Sequence, residues 1–556
     1  MLARPNSLLS TKSTLRSAIL IYRVHTFSKV PLHRHSSVSF SVRVRRMTGF
    51  CSTARSMSGV AASVAVSTAA MVTPTLNPEI RKLMRQLDDL TPRFFLRRGQ
   101  IDILKTPDEF YRVLQKKILS AKKRVFLATL YIGKTENELV EVLRTALLEN
   151  PDLKVDILTD ALRGTREAPN PSSASLMAKL VGEFGDRVKV RLFHTPNLRG
   201  MKKTMIPARL NEGWGLQHMK LYGFDDEIIL SGANLSHDYF TNRQDRYYLF
   251  RSAEITNYYK KIYDAVGSLS YMLSLDDSPN GFHLSWPSTN PAPEPTKRAL
   301  HFVKVATQIL TPLIRSSPSN ITGDIGLEDP STVTVVYPIS QFTPLLSPNV
   351  STESPAIQHL LDVLNMDRFS WVFTAGYFNI HPSYRRKLLS SNPLEGAIIT
   401  AAAEANGFYQ SAGISGYLPP AYTLLAKEFV QDVKRRQKSD TIHLLEWQNG
   451  ILNQPGGWTY HAKGIWISPP PVGSTEEMPC VTVIGSSNFT RRSHALDLES
   501  NCIIVTRDED LRSKMYDEIQ HLRQFTREMS EESYKSNDRK VGWGVKAALV
   551  VLGGML

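Results

Sequence analysis

The feature that most constrains this 556-residue chain is a short motif that occurs twice in a matching frame. His218-Met-Lys220 is followed by Gly232-Ala-Asn234, and His461-Ala-Lys463 by Gly485-Ser-Ser-Asn488. Ahead of each lies a β-type run (Val125–Tyr131, Trp371–Tyr377), then a helical pattern (Glu138–Leu148, Pro382–Leu389), then a second strand pattern (Lys154–Thr159, Gly396–Thr400). Tyr131 precedes His218 by 87 residues and Tyr377 precedes His461 by 84; Asn234 to Asp245 and Asn488 to Glu499 are both 11. The His-to-Asn spacings differ, 16 against 27, and the extra residues coincide with the turn-rich stretch Ser468-Pro-Pro-Pro-Val-Gly-Ser474. One duplication of this length gives two similar α/β halves, not a solenoid. Strands alternating with helices predict mixed sheets flanked by helices, with the halves about a pseudo-two-fold axis. The spacing places a first half over 76–286 and a second over 336–530. Between them, 287–335 is rich in Pro, Ser and Thr and reads as a linker or surface excursion.

Charge sets the N-terminus apart. The first acid is Glu79, and residues 1–78 hold eight Arg and two Lys. The other 478 residues carry 57 basic and 52 acidic side chains, so most of the net +15 belongs to the leader. An Arg- and Ser-rich, acid-free segment over 1–75 has the composition of a disordered mitochondrial transit peptide. The near-neutral remainder argues against nucleic acid as a partner. Three cysteines, Cys51, Cys480 and Cys502, cannot form a disulfide framework, and free thiols are expected. No run of 18 strongly apolar residues is present. The C-terminal tail, 531–556, ends in an apolar stretch from Val545 that is too short to span a bilayer but suits an interfacial segment.

On a strand, residues i and i+2 share a face, so each half presents an imidazole with an ammonium, and the next strand brings an amide. If the halves converge, His218, Lys220 and Asn234 meet His461, Lys463 and Asn488. That set suits a phosphodiester. Lys and Asn can bind non-bridging oxygens, one His can attack phosphorus and the other can carry a proton. No metal is called for by this chemistry, since the cations are in place. Asp245 and Glu499, at equivalent positions, can each accept an imidazole N–H and fix its tautomer.

These motifs, H-x-K-x4-D and G-x-N, resemble those of the phospholipase D superfamily over about residues 95–530. A narrower resemblance rests on Gln217-His-Met-Lys220, Ser231-Gly-Ala-Asn-Leu-Ser236, the run Tyr239–Tyr247, His194-Thr-Pro, Tyr460-His-Ala-Lys-Gly464 and Gly376-Tyr-Phe-Asn379. These are similar to the mitochondrial CDP-diacylglycerol–glycerol-3-phosphate 3-phosphatidyltransferases. The resemblance implies a phosphatidyl-histidine intermediate, formed from CDP-diacylglycerol and passed to glycerol-3-phosphate. It also implies peripheral attachment to the matrix side of the inner membrane. One departure concerns the motif acid. Asp225 fills it in the first half, and Ser468 stands in the second, which favours His218 as nucleophile. The acceptor's phosphate needs further cations, for which Arg199, Lys202, Lys203 and Arg243 are candidates. A phosphodiesterase using water as acceptor is the alternative enzyme; a lipid-binding scaffold is the non-enzymatic one.

A competing signal is weak. Ala128-Thr-Leu-Tyr-Ile-Gly133-Lys-Thr135 fits a permissive phosphate-loop pattern, but its middle residues overlap the expected strand. No nucleotide cofactor is expected there.

Overall fold

The structure is a computed structural model. It describes residues 76–166, 171–200, 205, 211–316, 332–366, 368–471, 477–536, 539, 541, 542 and 545. The expected transit segment, Lys202 and Lys203, and the end of the expected interfacial tail lie outside the described residues.

In chain order the strands are β1 (Phe94–Arg97), β2 (Ile101–Leu104), β3 (Arg124–Ala128), β4 (Lys154–Asp160), β5 (Val188–Phe193), β6 (Leu221–Phe224), β7 (Glu227–Ser231), β8 (Arg243–Gln244), β9 (Tyr247–Arg251), β10 (Tyr271–Leu275) and β11 (Phe282–Ser285). They continue with β12 (Thr332–Gln341), β13 (Ser370–Ala375), β14 (Gly396–Ala401), β15 (Ile442–Trp447), β16 (Thr459–Tyr460), β17 (Lys463–Ser468), β18 (Val481–Gly485), β19 (Glu499–Thr506) and β20 (Thr526–Glu528). One sheet runs β11-β10-β5-β4-β3-β6-β7-β9-β2 and the other β1-β12-β19-β18-β17-β13-β14-β15-β20. The duplication is explicit in this order. β5-β4-β3-β6-β7-β9 and β15-β14-β13-β17-β18-β19 share one topology, three parallel strands followed by three antiparallel ones. Their central strands are apolar almost throughout, as strands covered on both faces must be; Val125–Ala128 and all of β13 are buried.

The halves are not separated where the sequence suggested. The helix Pro78–Asp88 starts at Asn77, whose side chain accepts the N–H of Glu79, and has proline at its first turn. It buries Ile80, Leu83, Met84 and Leu87, one stripe at helical spacing. That stripe packs with Val335, Tyr337 and Ile339 of the second sheet, and β1 pairs antiparallel with β12. The chain then crosses to β2, at the edge of the first sheet. An expected first half beginning at 76 therefore gives its opening helix and strand to the second sheet, because β12 would otherwise present an open edge. Nor is 287–335 only a surface excursion. The helix Ala299–Ile314 buries Phe302, Ala306, Leu310 and Ile314, and β12 already starts at Thr332. Those side chains join a core drawn from both sheets, with Phe126, Leu158, Leu221 and Tyr248 on one side and Val336, Ile484 and Ile504 on the other. Cys480 and Cys502 are free and buried.

A buried arginine fastens the sheets near the functional motifs. Arg246 is fully buried. Its Nε lies 2.8 Å from Glu518 Oε1 on the helix Glu509–Arg523, and Nη1 donates to the Val483 carbonyl at 2.7 Å. Nη2 donates to Tyr248 Oη and Thr482 Oγ1, both at 3.0 Å, and the guanidinium stacks 3.8 Å from the Trp466 ring. Gly464 makes room for it, since a Cβ there would lie 1.7 Å from Nη1. Removing one partner of a buried, hydrogen-bonded ion pair leaves the other charge uncompensated. Arg246→Ala should therefore lower stability by about 3–5 kcal/mol, read as a fall in the urea midpoint. Gly464→Ala should shift it in the same direction. A midpoint unmoved by Arg246→Ala would remove this pair as the fastener.

Candidate active site

The two motifs meet because each borrows a hydrogen bond from the opposite half. The His218 N–H donates to the Leu498 carbonyl at 3.0 Å, and the His461 N–H to the Gln244 carbonyl at 2.8 Å. Leu498 and Gln244 directly precede Glu499 and Asp245. The backbone register thus delivers each acid to the other half's imidazole. His218 Nδ1 lies 2.9 and 3.0 Å from the Glu499 carboxylate oxygens, and His461 Nδ1 lies 2.7 Å from Asp245 Oδ2. Asp245 and Glu499 were expected to hold imidazoles; the crossing of the pairs between halves was not legible from spacing. His218, Met219 and Lys220 precede β6, and His461 and Ala462 precede β17, which starts at Lys463, so the motifs sit at strand mouths.

Both rings line one cavity of about 440 Å³, together with Asn234, Asn488, Tyr131, Tyr239 and Tyr377. Both lysines lie one layer back, fully buried behind the histidines. Lys220 Nζ donates to the His218 carbonyl at 2.7 Å and Lys463 Nζ to that of His461 at 2.9 Å. Lys463 Nζ also stands 2.8 Å from His461 Nδ1. Gly232 permits its approach, since a Cβ there would meet Nζ at 2.4 Å. The equivalent position in the second half is Ser486, whose hydroxyl donates to Glu499.

Burial dominates the electrostatics. It drives His218 well below the usual imidazole range, with Lys220 adding to the effect, and brings His461 down to about 3, with Lys463 adding. Both rings are neutral near pH 7. A carboxylate accepting at Nδ1 leaves the Nε2 lone pair for the cavity. Burial pushes Glu499 up to about 7 and Lys220 down to about 7. Burial opposes the charge of Asp245 too, but Lys463 and His461 hold it below the ordinary carboxylate range.

Asp225 is not in this cavity. It turns the chain between β6 and β7 with φ 49°, and its carboxylate accepts the N–H groups of Lys122, Lys123 and Arg124 at 2.7–3.0 Å. Five residues of extended chain set it roughly 16 Å from Lys220. Ser468, its counterpart, ends β17 opposite Ser370. The acid therefore fixes a turn, and its absence from the second half says nothing about which histidine attacks.

Arg243 lines the cavity, beside Arg163, Arg166 and Arg492, whereas Arg199 is exposed and does not. The last three cavity arginines were missed. The duplicated frame held a signal for Arg492, which stands four residues after Asn488 where Asp238 follows Asn234. The phosphate-loop-like segment is a loop after all, since β3 ends at Ala128 and a helix begins at Asn137. Three of its N–H groups are committed to protein acceptors: Thr129 to the Leu158 carbonyl, Ile132 to Ser173 Oγ, and Gly133 to the Leu235 carbonyl. Among the described residues no group of three or more His, Cys, Asp or Glu side chains could hold a metal ion.

If Asp225 serves only its turn, Asp225→Ala should cost about 1–3 kcal/mol of stability, measured by urea unfolding, and leave turnover per folded molecule within a factor of about three. A turnover loss of the ~10²–10⁴ size expected of a general acid–base group would return it to the chemistry.

The similarities of the chain to known proteins agree with this geometry. Residues 114–266 match the domain described as "Cardiolipin synthase, PLD-like domain". The CDP-diacylglycerol–glycerol-3-phosphate 3-phosphatidyltransferase of Saccharomyces pastorianus is 50% identical over 469 residues, 83% of this chain and 89% of that one. The mitochondrial enzyme of that name from Homo sapiens is 34% identical over 494 residues, 85% of each chain. The crystal structure of phosphatidylserine synthase from Haemophilus influenzae Rd KW20 superposes with a TM-score of 0.62 at 20% identity, covering 86% of this chain and 97% of that one, a likeness of fold. With half of 469 aligned residues identical, over 89% of that relative, the chain belongs to the CDP-diacylglycerol–glycerol-3-phosphate 3-phosphatidyltransferase family.

Proposed function

We propose that this protein transfers the phosphatidyl group of CDP-diacylglycerol to glycerol-3-phosphate through a phosphatidyl-histidine. The observation that carries the mechanism is the pair of imidazoles, each pinned at Nδ1 by the other half's carboxylate, that line one cavity. His218 Nε2 attacks the phosphorus that bears diacylglycerol. The phosphorus–oxygen bond to CMP breaks, and CMP leaves with the electron pair. His461 then accepts the proton of a glycerol-3-phosphate hydroxyl. That oxygen attacks the same phosphorus, the phosphorus–nitrogen bond breaks, and His218 returns neutral. Asn234 and Asn488 bind non-bridging oxygens from the wall, while Lys220 and Lys463 supply positive potential from behind it.

His218 is assigned as nucleophile on its own surroundings, not on Asp225. Among the described residues its Nε2 has no hydrogen-bond partner, while His461 Nε2 lies 3.4 Å from the Tyr239 hydroxyl. This reading assigns no nucleoside triphosphate to the Ala128–Thr135 loop and needs no metal. A lipid substrate places the cavity at a membrane surface. Among the described residues no helix is long and apolar enough to cross a bilayer. Vertebrate relatives are named mitochondrial, and with the acid-free leader this supports peripheral attachment on the matrix side of the inner membrane.

Exchange of labelled CMP into CDP-diacylglycerol reports formation and reversal of the intermediate. His218→Ala should abolish both exchange and net synthesis. His461→Ala should lose net synthesis by the ~10²–10⁴ worth of a general base and retain more exchange, because CMP needs little protonation to leave. The reverse pattern would swap the roles. Release of phosphatidic acid at the same rate with and without glycerol-3-phosphate would favour the water-using phosphodiesterase.

The pH dependence follows from the two groups shifted to about 7. Below that pH Glu499 takes up a proton and no longer steadies the imidazolium that forms on His218. Above it Lys220 loses its charge and its pull on phosphate. The profile of kcat/KM should be bell-shaped about neutrality. Glu499→Gln should flatten the acid limb and Lys220→Arg should carry the alkaline limb to higher pH. A profile flat from pH 5 to 9 would remove both groups from control.

A further inference from the structure

The repeat frame holds one pair of charges that is conserved in place and inverted in order. Asp238 and Arg243 stand four and nine residues after Asn234; Arg492 and Asp497 stand four and nine after Asn488. Each pair closes an ion pair beside the cavity, Arg243 to Asp238 at 3.0 Å and Arg492 to Asp497 at 3.1 Å. The geometry assigns Arg243 as the residue that binds the acceptor's phosphate and so selects glycerol-3-phosphate over acceptors without one; this rests on the transferase reading above.

Two observations separate Arg243 from its inverted counterpart. The first is the side on which it stands. Displacement at phosphorus is in line, so the acceptor oxygen must enter where CMP departed, opposite His218 and beside His461. Arg243 belongs to that side. Its strand β8 pairs in parallel with β16, Arg243 opposite Thr459, and its Nε donates to Thr459 Oγ1 at 2.9 Å, two residues before His461. Arg492 stands on the other side, where Asp497 accepts the Leu216 N–H, two residues before His218.

The second is the availability of the charge. Arg492 is held by an acid only 5% exposed, and its Nη2 also donates to the Glu212 carbonyl at 2.8 Å. Its guanidinium, itself 26% exposed, is thus held by two partners inside the protein. Arg243 is 13% exposed and paired with an acid that is 54% exposed, a contact that water already weakens and that a phosphate dianion can replace. Burial opposes the charge of Arg243, but Tyr239 and Asp238 raise its pKa, so the cation persists. The guanidinium lies 4.7 Å over the Tyr239 ring, which orients the fork. Beside it Gly407 leaves space: a Cβ there would come within 3.1 Å of Nη2 and 3.7 Å of Tyr377 Oη. With Nε on Thr459, the Nη1–Nη2 edge is the part of the fork that can bind phosphate through two hydrogen bonds once Asp238 gives way.

The test compares two acceptors and one exchange reaction in the full-length enzyme on CDP-diacylglycerol micelles. Arg243→Gln should lower kcat/KM for glycerol-3-phosphate by about 10- to 100-fold, mostly through KM, as expected for lost hydrogen bonds to a charged group. The preference for glycerol-3-phosphate over glycerol, supplied at molar concentration, should fall by the same factor. CMP exchange should fall at least tenfold less than net synthesis, which also shows the variant to be folded. Arg243→Lys, which keeps the charge but not the fork, should recover part of the preference. Arg492→Gln should depress exchange and synthesis together and leave the preference in place. The assignment is overturned if Arg243→Gln slows glycerol and glycerol-3-phosphate alike, or if the preference is lost in Arg492→Gln instead. A wild-type enzyme that makes phosphatidylglycerophosphate but exchanges no CMP would overturn the phosphatidyl-histidine reading, and with it the placement of the acceptor opposite His218 on which this assignment rests.

Discussion

Each of the two cavity imidazoles is held by a carboxylate from the other half, and that crossing is the constraint on which the rest of the molecule depends. Glu499 belongs to β19 and braces His218; Asp245 follows β8 and braces His461. Neither half alone carries a complete histidine–acid pair. The halves must therefore pack in one register to within a hydrogen bond's tolerance, and the structure spends its interior on that. The backbone bonds from His218 to Leu498 and from His461 to Gln244 set the register. Arg246, one residue after Asp245, ties the same strand to Val483 and Thr482 on β18 and to Glu518. The pairing of β1 with the second sheet, and the helix Ala299–Ile314 packed in the shared core, also hold the halves together.

Much of this was legible in the sequence because duplication turns weak motifs into a strong frame. The paired His-x-Lys units, the two asparagines and the equal 11-residue steps to Asp245 and Glu499 all lead to the same cavity. What the frame could not carry was which half each acid serves, since spacing along the chain is blind to contacts across an interface. It also misplaced Asp225. A motif position next to catalytic residues in sequence can be five extended residues away in space, and here its carboxylate accepts three turn N–H groups. The boundary at residue 76 failed for a related reason. The stripe of Ile80, Leu83, Met84 and Leu87 announces a buried helix face but not which sheet buries it.

The lysines show how burial and charge are balanced. Four ionisable groups, Lys220, Lys463, Asp245 and Glu499, lie almost wholly out of water behind the histidines. Isolated, each would cost several kcal/mol to desolvate. Grouped, two cations offset two anions, and the cluster keeps its sum near neutral. The rings in front stay uncharged for the same reason, because burial and the adjacent ammonium both penalise a second cation. A neutral imidazole is what a nucleophile or a base requires.

The proposed reaction asks a symmetric scaffold to perform two unequal tasks, releasing one group and admitting another from the same side. The structure departs from its own symmetry at the places where that difference can act. Gly232 gives way to Lys463, while Ser486 in its place donates to Glu499, so the two acids sit in unlike fields although their imidazoles are held alike. Asp245 is kept below the ordinary range and Glu499 is raised to about 7, each under the burial that would otherwise raise both. Nearer the mouth, the Asp238–Arg243 pair is the mirror of Arg492–Asp497 in order and its opposite in burial of the acid. The duplicated elements supply position, and the substitutions within them supply direction. In the proposed reaction, a single phosphorus between two histidines meets its partners in an order set not by the fold but by a few side chains at equivalent positions with different charges.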